Sequence, residues 1–165
     1  MTPSPRRPEQ FSGTTPIILA AGVGSRMGSA TPKVLHPILG RPLAGWVVDS
    51  VRAAFPTTPI VVLSPATASL AAQLGAVSVA EQPKPLGTGD AVRCALPSLP
   101  ANADEVMIAC GDTPLLTSEL LLALAEKRRS LGAPLAVAAF RAPDPTGYGR
   151  VILNDHLRSE ERRVG

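Results

Sequence analysis

The sequence predicts an α/β fold: a doubly wound, mostly parallel sheet with helices on both faces. Hydrophobic residues make up 45% of the 165-residue chain and aromatics only 3%, so the core is built from Ala, Val, Leu and Ile. Those are the residues of a sheet buried between helix layers rather than of a sandwich or barrel. Strand-length apolar runs also alternate with segments of helical period along most of the chain. Finally, the first apolar run, from Ile17, breaks into a glycine-rich turn that carries Arg26 and Lys33. A strand that ends this way presents backbone N–H groups and positive charge to a polyphosphate. A chain of this length buries one core, which argues for a single domain.

The elements follow in order. Residues 1–15 hold Pro3, Pro5, Pro8, Arg6 and Arg7 with no apolar stretch, so they read as a disordered lead-in that is neither a signal peptide nor part of the core. The ordered fold is expected to begin near Pro16, with a first strand at 16–21. A helix at 42–54 places Leu43, Val47, Val48 and Val51 on one face. Strands at 59–63, 76–80 and 104–110 alternate with helices at about 66–74 and 88–96, the latter with Thr88 as its N-cap. The helix at 118–131 carries the fullest signals: Ser118 as N-cap, Glu119 in the first turn, Leu120, Leu121 and Leu124 inward, Lys127 to Arg129 in the last turn, and Gly132 beyond. A fifth strand is expected at 134–140. All five strands read as buried and parallel. Right-handed crossovers between them place ligands beyond the strands' carboxyl ends, where the strand order switches. No internal repeat is visible, and in particular no hexapeptide period.

Composition excludes several classes of function. The net charge of +3, from 16 basic and 13 acidic residues, is too weak and scattered for a nucleic-acid surface. A small anionic ligand suffices. No apolar run approaches the roughly 20 residues of a membrane helix. Cys94 and Cys110 fit no metal spacing and are expected to be reduced, buried and apolar in role, which makes a cytoplasmic location the default.

Four segments could carry chemistry. In Gly22-Val23-Gly24-Ser25-Arg26-Met27-Gly28, Met27 stands where a dinucleotide fingerprint needs glycine, Asp49 lies in a helix, and no Gly-Lys-Ser/Thr follows; both the dinucleotide and the Walker readings fail. What remains is a phosphate-cradling loop neutralised by Arg26 and Lys33, or else an ordinary βα turn with two solvated cations. Asp112, after the run 106–110, could ligate Mg²⁺ or close an Asx-turn before Pro114. Leu86-Gly87-Thr88-Gly89 leaves a helix N-terminus open to a phosphate or a base edge, or simply caps it. Asp144 to Arg150 is a glycine-studded loop whose chemistry residue types do not reveal. His36 and His156 read as surface residues, and no Ser-His-Asp or Cys-His arrangement is suggested.

Taken together, LAAGVGSRMG, TPKVLHPILGRP, QPKPLGTGDAV, GDTPLL and DPTGYGR closely resemble, in this order and spacing, the bacterial N-acetylglucosamine-1-phosphate uridylyltransferase domain, over about residues 16–152. The resemblance implies a Rossmann-like nucleotidyltransferase fold. It also implies a reaction in which UTP and N-acetylglucosamine 1-phosphate give UDP-N-acetylglucosamine and pyrophosphate with Mg²⁺, supplying cell-wall precursor synthesis. By resemblance, Leu19, Ala20 and Gly22 contact the nucleotide, and Arg26 and Lys33 hold its phosphates. Gln82, five residues before Gly87, reads uracil, while Gly87 and Thr88 complete the base and ribose site. Asp112 matches a Mg²⁺ ligand, and Gly149 a backbone contact to the sugar.

The chain also departs from the family's pattern. Asp90 replaces the usual histidine, adding a negative charge near a phosphate site, and Cys110 stands where Tyr or Ser is common. After Leu153 the family's sugar-gripping glutamate segment and later asparagine ligand are not found, and residues 156–165 match no family motif. The expectation is a partial nucleotidyltransferase domain over 16–155, with a non-family tail that points to a truncated reading frame, poorly active or inactive. The 165 residues do not include the β-helix half of the bifunctional family members, and without it an oligomer is not expected. Missing strands would leave a sheet edge and a core face exposed. A non-catalytic nucleotide-binding fragment and another sugar-1-phosphate nucleotidyltransferase are the alternatives.

Overall fold

A computed structural model describes residues 8–24, 28–144, 146–153 and 159–162. Four parallel strands form the main sheet in the order β5-β4-β1-β6: β1 (Thr14–Leu19), β4 (Ile60–Leu63), β5 (Ser78–Glu81) and β6 (Glu105–Cys110). Strand β1 is central because Thr14 to Ile18 are all buried. Its Pro16 is tolerated for a local reason. The Ala20 N–H donates to Val62 O on the β4 side, and alternation turns the same side of Pro16 that way. Pairing with β4 starts only at Ile17, so the N–H that proline lacks falls outside that ladder.

Both faces of the sheet are covered, as a doubly wound fold requires. Helices α1 (Leu43–Ala54) and α3 (Ser118–Ser130) pack on one face, where Val47, Val48, Val51, Leu121 and Leu122 meet Ile18, Val61, Met107 and Ala109. Helix α2 (Thr88–Ala95) covers the other, with Ala91 and Ala95 against Ile17, Ile60 and Val62. The expected apolar face of α1 is buried throughout. A tight hairpin of β2 (Pro37–Ile38) and β3 (Arg41–Pro42) leads into α1, with Leu39 and Gly40 at positive φ in its two-residue turn.

Several expectations are corrected. The segment before Pro16 does reach the core. Phe11 is 1% exposed, meets Phe55 edge-on at 5.9 Å and lies beneath the Arg129 guanidinium, while Thr14 and Thr15 are buried in β1. Strands β5 and β6 are edges, each buried on one face only: Val79, Val106 and Ile108 stand exposed. Residues 65–73 form a 3-10 helix rather than an α-helix. The N-cap of α3 is Thr117, whose hydroxyl accepts from Leu120 N, and Leu120 itself faces solvent. For α2 the cap position is Gly87 at φ 112°, and Thr88 caps nothing.

Residues 134–140 form no strand. They run on the far side of a groove of about 1010 Å³, whose walls are β6, the Leu120, Leu121 and Leu124 flank of α3, and Pro134 to Ala138. Held away from β6, this backbone finds no ladder, and Leu135, Val137 and Phe140 remain exposed. Beyond it, β7 (Arg150–Leu153) pairs antiparallel with β8 (Ser159–Arg162) in a separate two-stranded sheet. Among the described residues no helix is long and apolar enough to cross a membrane.

Candidate nucleotide site at the strand carboxyl ends

The strand order switches between β1 and β6, and the candidate residues gather at the carboxyl ends there. Gly111 N donates to Leu19 O at 2.9 Å, joining the two strand ends. A Cβ at Gly111 would stand 3.1 Å from Leu19 O and 3.2 Å from Ala20 Cβ, so the absent side chain permits the close approach. Leu19 is half-buried and Ala20 fully buried, whereas Gly22 and Val23 open to solvent. The Ser64 hydroxyl at the end of β4 donates to Ala21 O at 2.8 Å and pins the loop where it leaves the sheet.

The glycine loop then folds back on the second motif. Gly24 has φ 67°, and a Cβ there would sit 2.7 Å from Lys33 Cβ. Only glycine meets both demands. Lys33 opens a short 3-10 turn, and its Nζ donates to Asp112 Oδ2 at 2.9 Å. Two residues 79 positions apart, each singled out from sequence, are therefore in contact. The local alternative for Asp112 is not what forms: the turn is closed by Thr113, whose hydroxyl and N–H both donate to Cys110 O, at 2.6 and 3.3 Å. The expectation of buried cysteines is corrected as well. Cys110 is exposed and Cys94 half-buried, and both are free thiols. Partial desolvation at the strand end and the Asp112 carboxylate push the Cys110 thiol up, against the pull of Lys33.

A second cluster lies at the end of β5. Gln82 is 2% exposed, its N–H donates to Leu63 O at 2.7 Å, and its Nε2 donates to Gly87 O at 3.2 Å and to Asp90 Oδ2 at 2.8 Å. Arg93 Nη2 holds the other Asp90 oxygen at 2.6 Å. Hydrogen bonds from Gln82 and then Arg93 keep the Asp90 carboxyl below its usual range. The added negative charge is thus already paired. Sequence reasoning missed this partnership, although an Asp-Arg pair three residues apart at a helix start was its visible signal. Gly87, Thr88 and Gly89 are exposed around the open first turn of α2.

Of the expected site residues, Arg26 lies outside the described residues. Gly149 is exposed in the loop before the separate hairpin, a loop built on Asp144, whose carboxylate accepts from Thr146 N at 3.0 Å, and on Phe140 and Tyr148 stacked edge-on at 5.2 Å. What the strand ends offer is a glycine loop beside a lysine–aspartate pair, with a buried amide near a helix N-terminus. Such a surface can take a polyphosphate at one place and a base edge at the other.

Comparison with known proteins agrees with that geometry. Residues 16–163 match the family model described as "MobA-like NTP transferase domain". The chain is 42% identical over 153 residues to the "Bifunctional protein GlmU" of Parvibaculum lavamentivorans, covering 89% of this chain and 34% of that protein. It is 45% identical over 147 residues to the protein of the same name from Sorangium cellulosum, covering 84% and 31%. The chain thus spans about a third of the length of the curated relatives it matches. Among solved structures it resembles Rv0371c from Mycobacterium tuberculosis, with TM-score 0.61 and 23% identity over 72% of this chain and 62% of that one. It also resembles the 4-diphosphocytidyl-2C-methyl-D-erythritol synthase of Anaerococcus prevotii, with TM-score 0.63 and 18% identity over 92% and 63%. These two likenesses concern the fold.

Proposed function

The chain belongs to the MobA-like NTP transferase domain family, and from that premise we propose that it carries the nucleotide side of a uridylyl transfer from UTP to N-acetylglucosamine 1-phosphate. The observation that carries the proposal is the Lys33–Asp112 contact beneath the glycine loop at the switch in strand order. In the reaction an oxygen of the sugar phosphate attacks the α-phosphorus, the bond from that phosphorus to the bridging oxygen breaks, and pyrophosphate departs with the electron pair. Little covalent chemistry falls to the protein, so positioning and charge neutralisation dominate.

Each residue takes its part from where it stands. The loop from Leu19 to Gly24 lies against the triphosphate, with Gly22 and Gly24 keeping the backbone free of side chains. Lys33 neutralises charge on the phosphates, and Arg26 is proposed to do the same. Gln82, Gly87 and Thr88 hold the uracil and ribose. The Gly149 loop is proposed to meet the sugar.

Mg²⁺ fits the residues present in one form. No group of three or more metal-ligating side chains exists among the described residues, but a hard ion bound chiefly by phosphate oxygens and water needs only one or two carboxylates. Asp112, a strand-end carboxylate already facing a cation, would hold it, and the ion would supply charge neutralisation to the triphosphate. A cytoplasmic site of action accords with the free thiols of Cys94 and Cys110.

Calorimetry of the 165-residue chain with each of the four nucleoside triphosphates, with Mg²⁺ present, tests the reading. UTP is expected to bind tightest. Equal binding of all four would remove the base assignment and favour a transferase of other specificity. Pyrophosphate release with UTP and N-acetylglucosamine 1-phosphate is expected to be slow.

A further inference from the structure

The preference for UTP proposed above rests on Gln82, and its neighbours decide which end of that amide a ligand can meet. The groups beside its terminal nitrogen are Asp90 Oδ2 at 2.8 Å and Gly87 O at 3.2 Å. A carboxylate and a carbonyl only accept, so the amide must turn its NH₂ toward them, and both of its hydrogens are used there. Asp90 is itself fixed by Arg93 on its other oxygen, and in the first turn of α2 the helix dipole favours its charge. The Gln82 oxygen is different. Among the described residues no donor is brought to Oε1, which leaves that oxygen as the amide's remaining group for a ligand.

We propose that Asp90 is a positioning residue that sets the base specificity of the site: by anchoring the Gln82 NH₂ it leaves only an acceptor for the base. An acceptor suits the ring N3–H of uracil and opposes the ring-nitrogen acceptor that cytosine carries at the same position. Reversing the amide to serve cytosine would face Oε1 against the Asp90 carboxylate and lose the hydrogen bonds to Asp90 Oδ2 and Gly87 O, so acceptor would oppose acceptor where a donor now stands. The inference rests on the reading that Gln82 faces the base. It explains why a negative charge stands at a helix start beside an anionic ligand: the charge is spent on the amide and on Arg93.

The test is a titration of the 165-residue chain and of Asp90→Asn with UTP, CTP and N3-methyl-UTP, each with Mg²⁺. The wild-type chain is expected to prefer UTP over both others by about tenfold or more, the size of one mismatched hydrogen bond. An asparagine can face Gln82 with either its oxygen or its NH₂, so in Asp90→Asn the amide is free to turn. The UTP-to-CTP ratio is then expected to fall to within about threefold, chiefly because CTP binds better. A merely structural role for Asp90 would weaken both nucleotides together and leave the ratio unchanged. A folded Asp90→Asn chain that keeps the wild-type ratio would overturn the role of Asp90 while leaving the Gln82 reading intact. Wild-type binding of N3-methyl-UTP as tight as that of UTP would overturn it too, and needs no variant. A wild-type chain indifferent to the base would instead remove the Gln82 reading itself, and this inference with it.

Discussion

Lys33 and Asp112 are 39% and 38% exposed at their side chains, and an ion pair in that much water contributes only about 0–1 kcal/mol to stability. Their contact therefore adds little to folding, and the role proposed for it is chemical. Asp112→Asn is expected to flatten the Mg²⁺ dependence of UTP binding, since an amide is a poorer ligand for a hard ion, while the thermal midpoint moves by no more than about 2 °C. A normal Mg²⁺ dependence in a folded Asp112→Asn chain would remove the metal role. Lys33→Ala is expected to slow pyrophosphate release about 10²- to 10³-fold with a much smaller loss of UTP affinity, because its charge meets charge that grows as pyrophosphate leaves. At Gly24 the order reverses and backbone comes first: with φ at 67° and Lys33 Cβ in the way, Gly24→Ala is expected to lose about 1–3 kcal/mol of stability and to weaken UTP binding by shifting Lys33. Equal urea midpoints for this variant and wild type would contradict the steric account. Lys33 and Asp112 were legible in the sequence as residue types at strand ends. Their meeting, and the contact that demands glycine at position 24, depend on a fold that brings positions 79 residues apart together.

At the scale of elements, the legible part was what periodicity encodes. The buried stripe of α1 and the cores of β1, β4 and β6 follow from apolar spacing alone, and Arg52 and Lys127 to Arg129 fall in last turns as the helix dipole favours. Periodicity does not say which strands are edges. Sheet order decides that, which is why β5 and β6 read as fully buried when β6 buries only Met107 and Ala109 and β5 only Ala80. The lead-in departs from expectation for a related reason. Its prolines hide Phe11, whose burial is secured from α3: Arg129 lies over the ring at 4.4 Å and donates to Gln10 O and to Thr14 Oγ1. Arg129 and Arg128 also reach Glu105 at the start of β6, tying strand, helix and lead-in together. Burial pushes the Glu105 carboxyl up, but hydrogen bonds from Thr14, Arg129 and Arg128 outweigh it and hold the group below its usual range. A lowered folded value means that the stabilisation is complete above the ordinary glutamate pKa of about 4.3 and is lost as pH falls through the folded value. Glu105→Gln is therefore expected to lose about 1–3 kcal/mol at neutral pH, and its gap to wild type should close as the pH drops below about 4. Urea titrations at several pH values measure this, and a gap that stays constant into acid would refute the ionic account.

For the whole molecule, the dominant fact is that among the described residues the sheet is paired on one side of β6 and open on the other. The amide and carbonyl row along that edge faces a groove walled by Leu120, Leu121, Leu124 and Ala136, with Ile108 46% exposed on the strand itself. Exposed apolar strand edges pair with whatever extended backbone arrives, and natural proteins blunt them with charge, above all with lysine. This edge carries no such device, since Val106, Ile108 and Cys110 point outward where a protective lysine could stand. An open edge of this kind was foreseeable from the family pattern, but the groove was not, because it depends on residues 134–138 standing off from β6 rather than pairing with it. The chain is therefore expected to bind a hydrophobic dye such as ANS and to associate non-specifically at concentrations of about 10–100 μM. Ile108→Lys should reduce both, because the charge sits on the exposed face of the edge strand, where it disturbs no core contact but opposes pairing with another copy. Its thermal midpoint should stay within about 2 °C of wild type. Sedimentation velocity across that concentration range, with dye fluorescence on the same samples, decides the matter. A wild-type chain that stays monomeric and dark to the dye would show the groove to be closed in solution, and Ile108→Lys would then have nothing to correct.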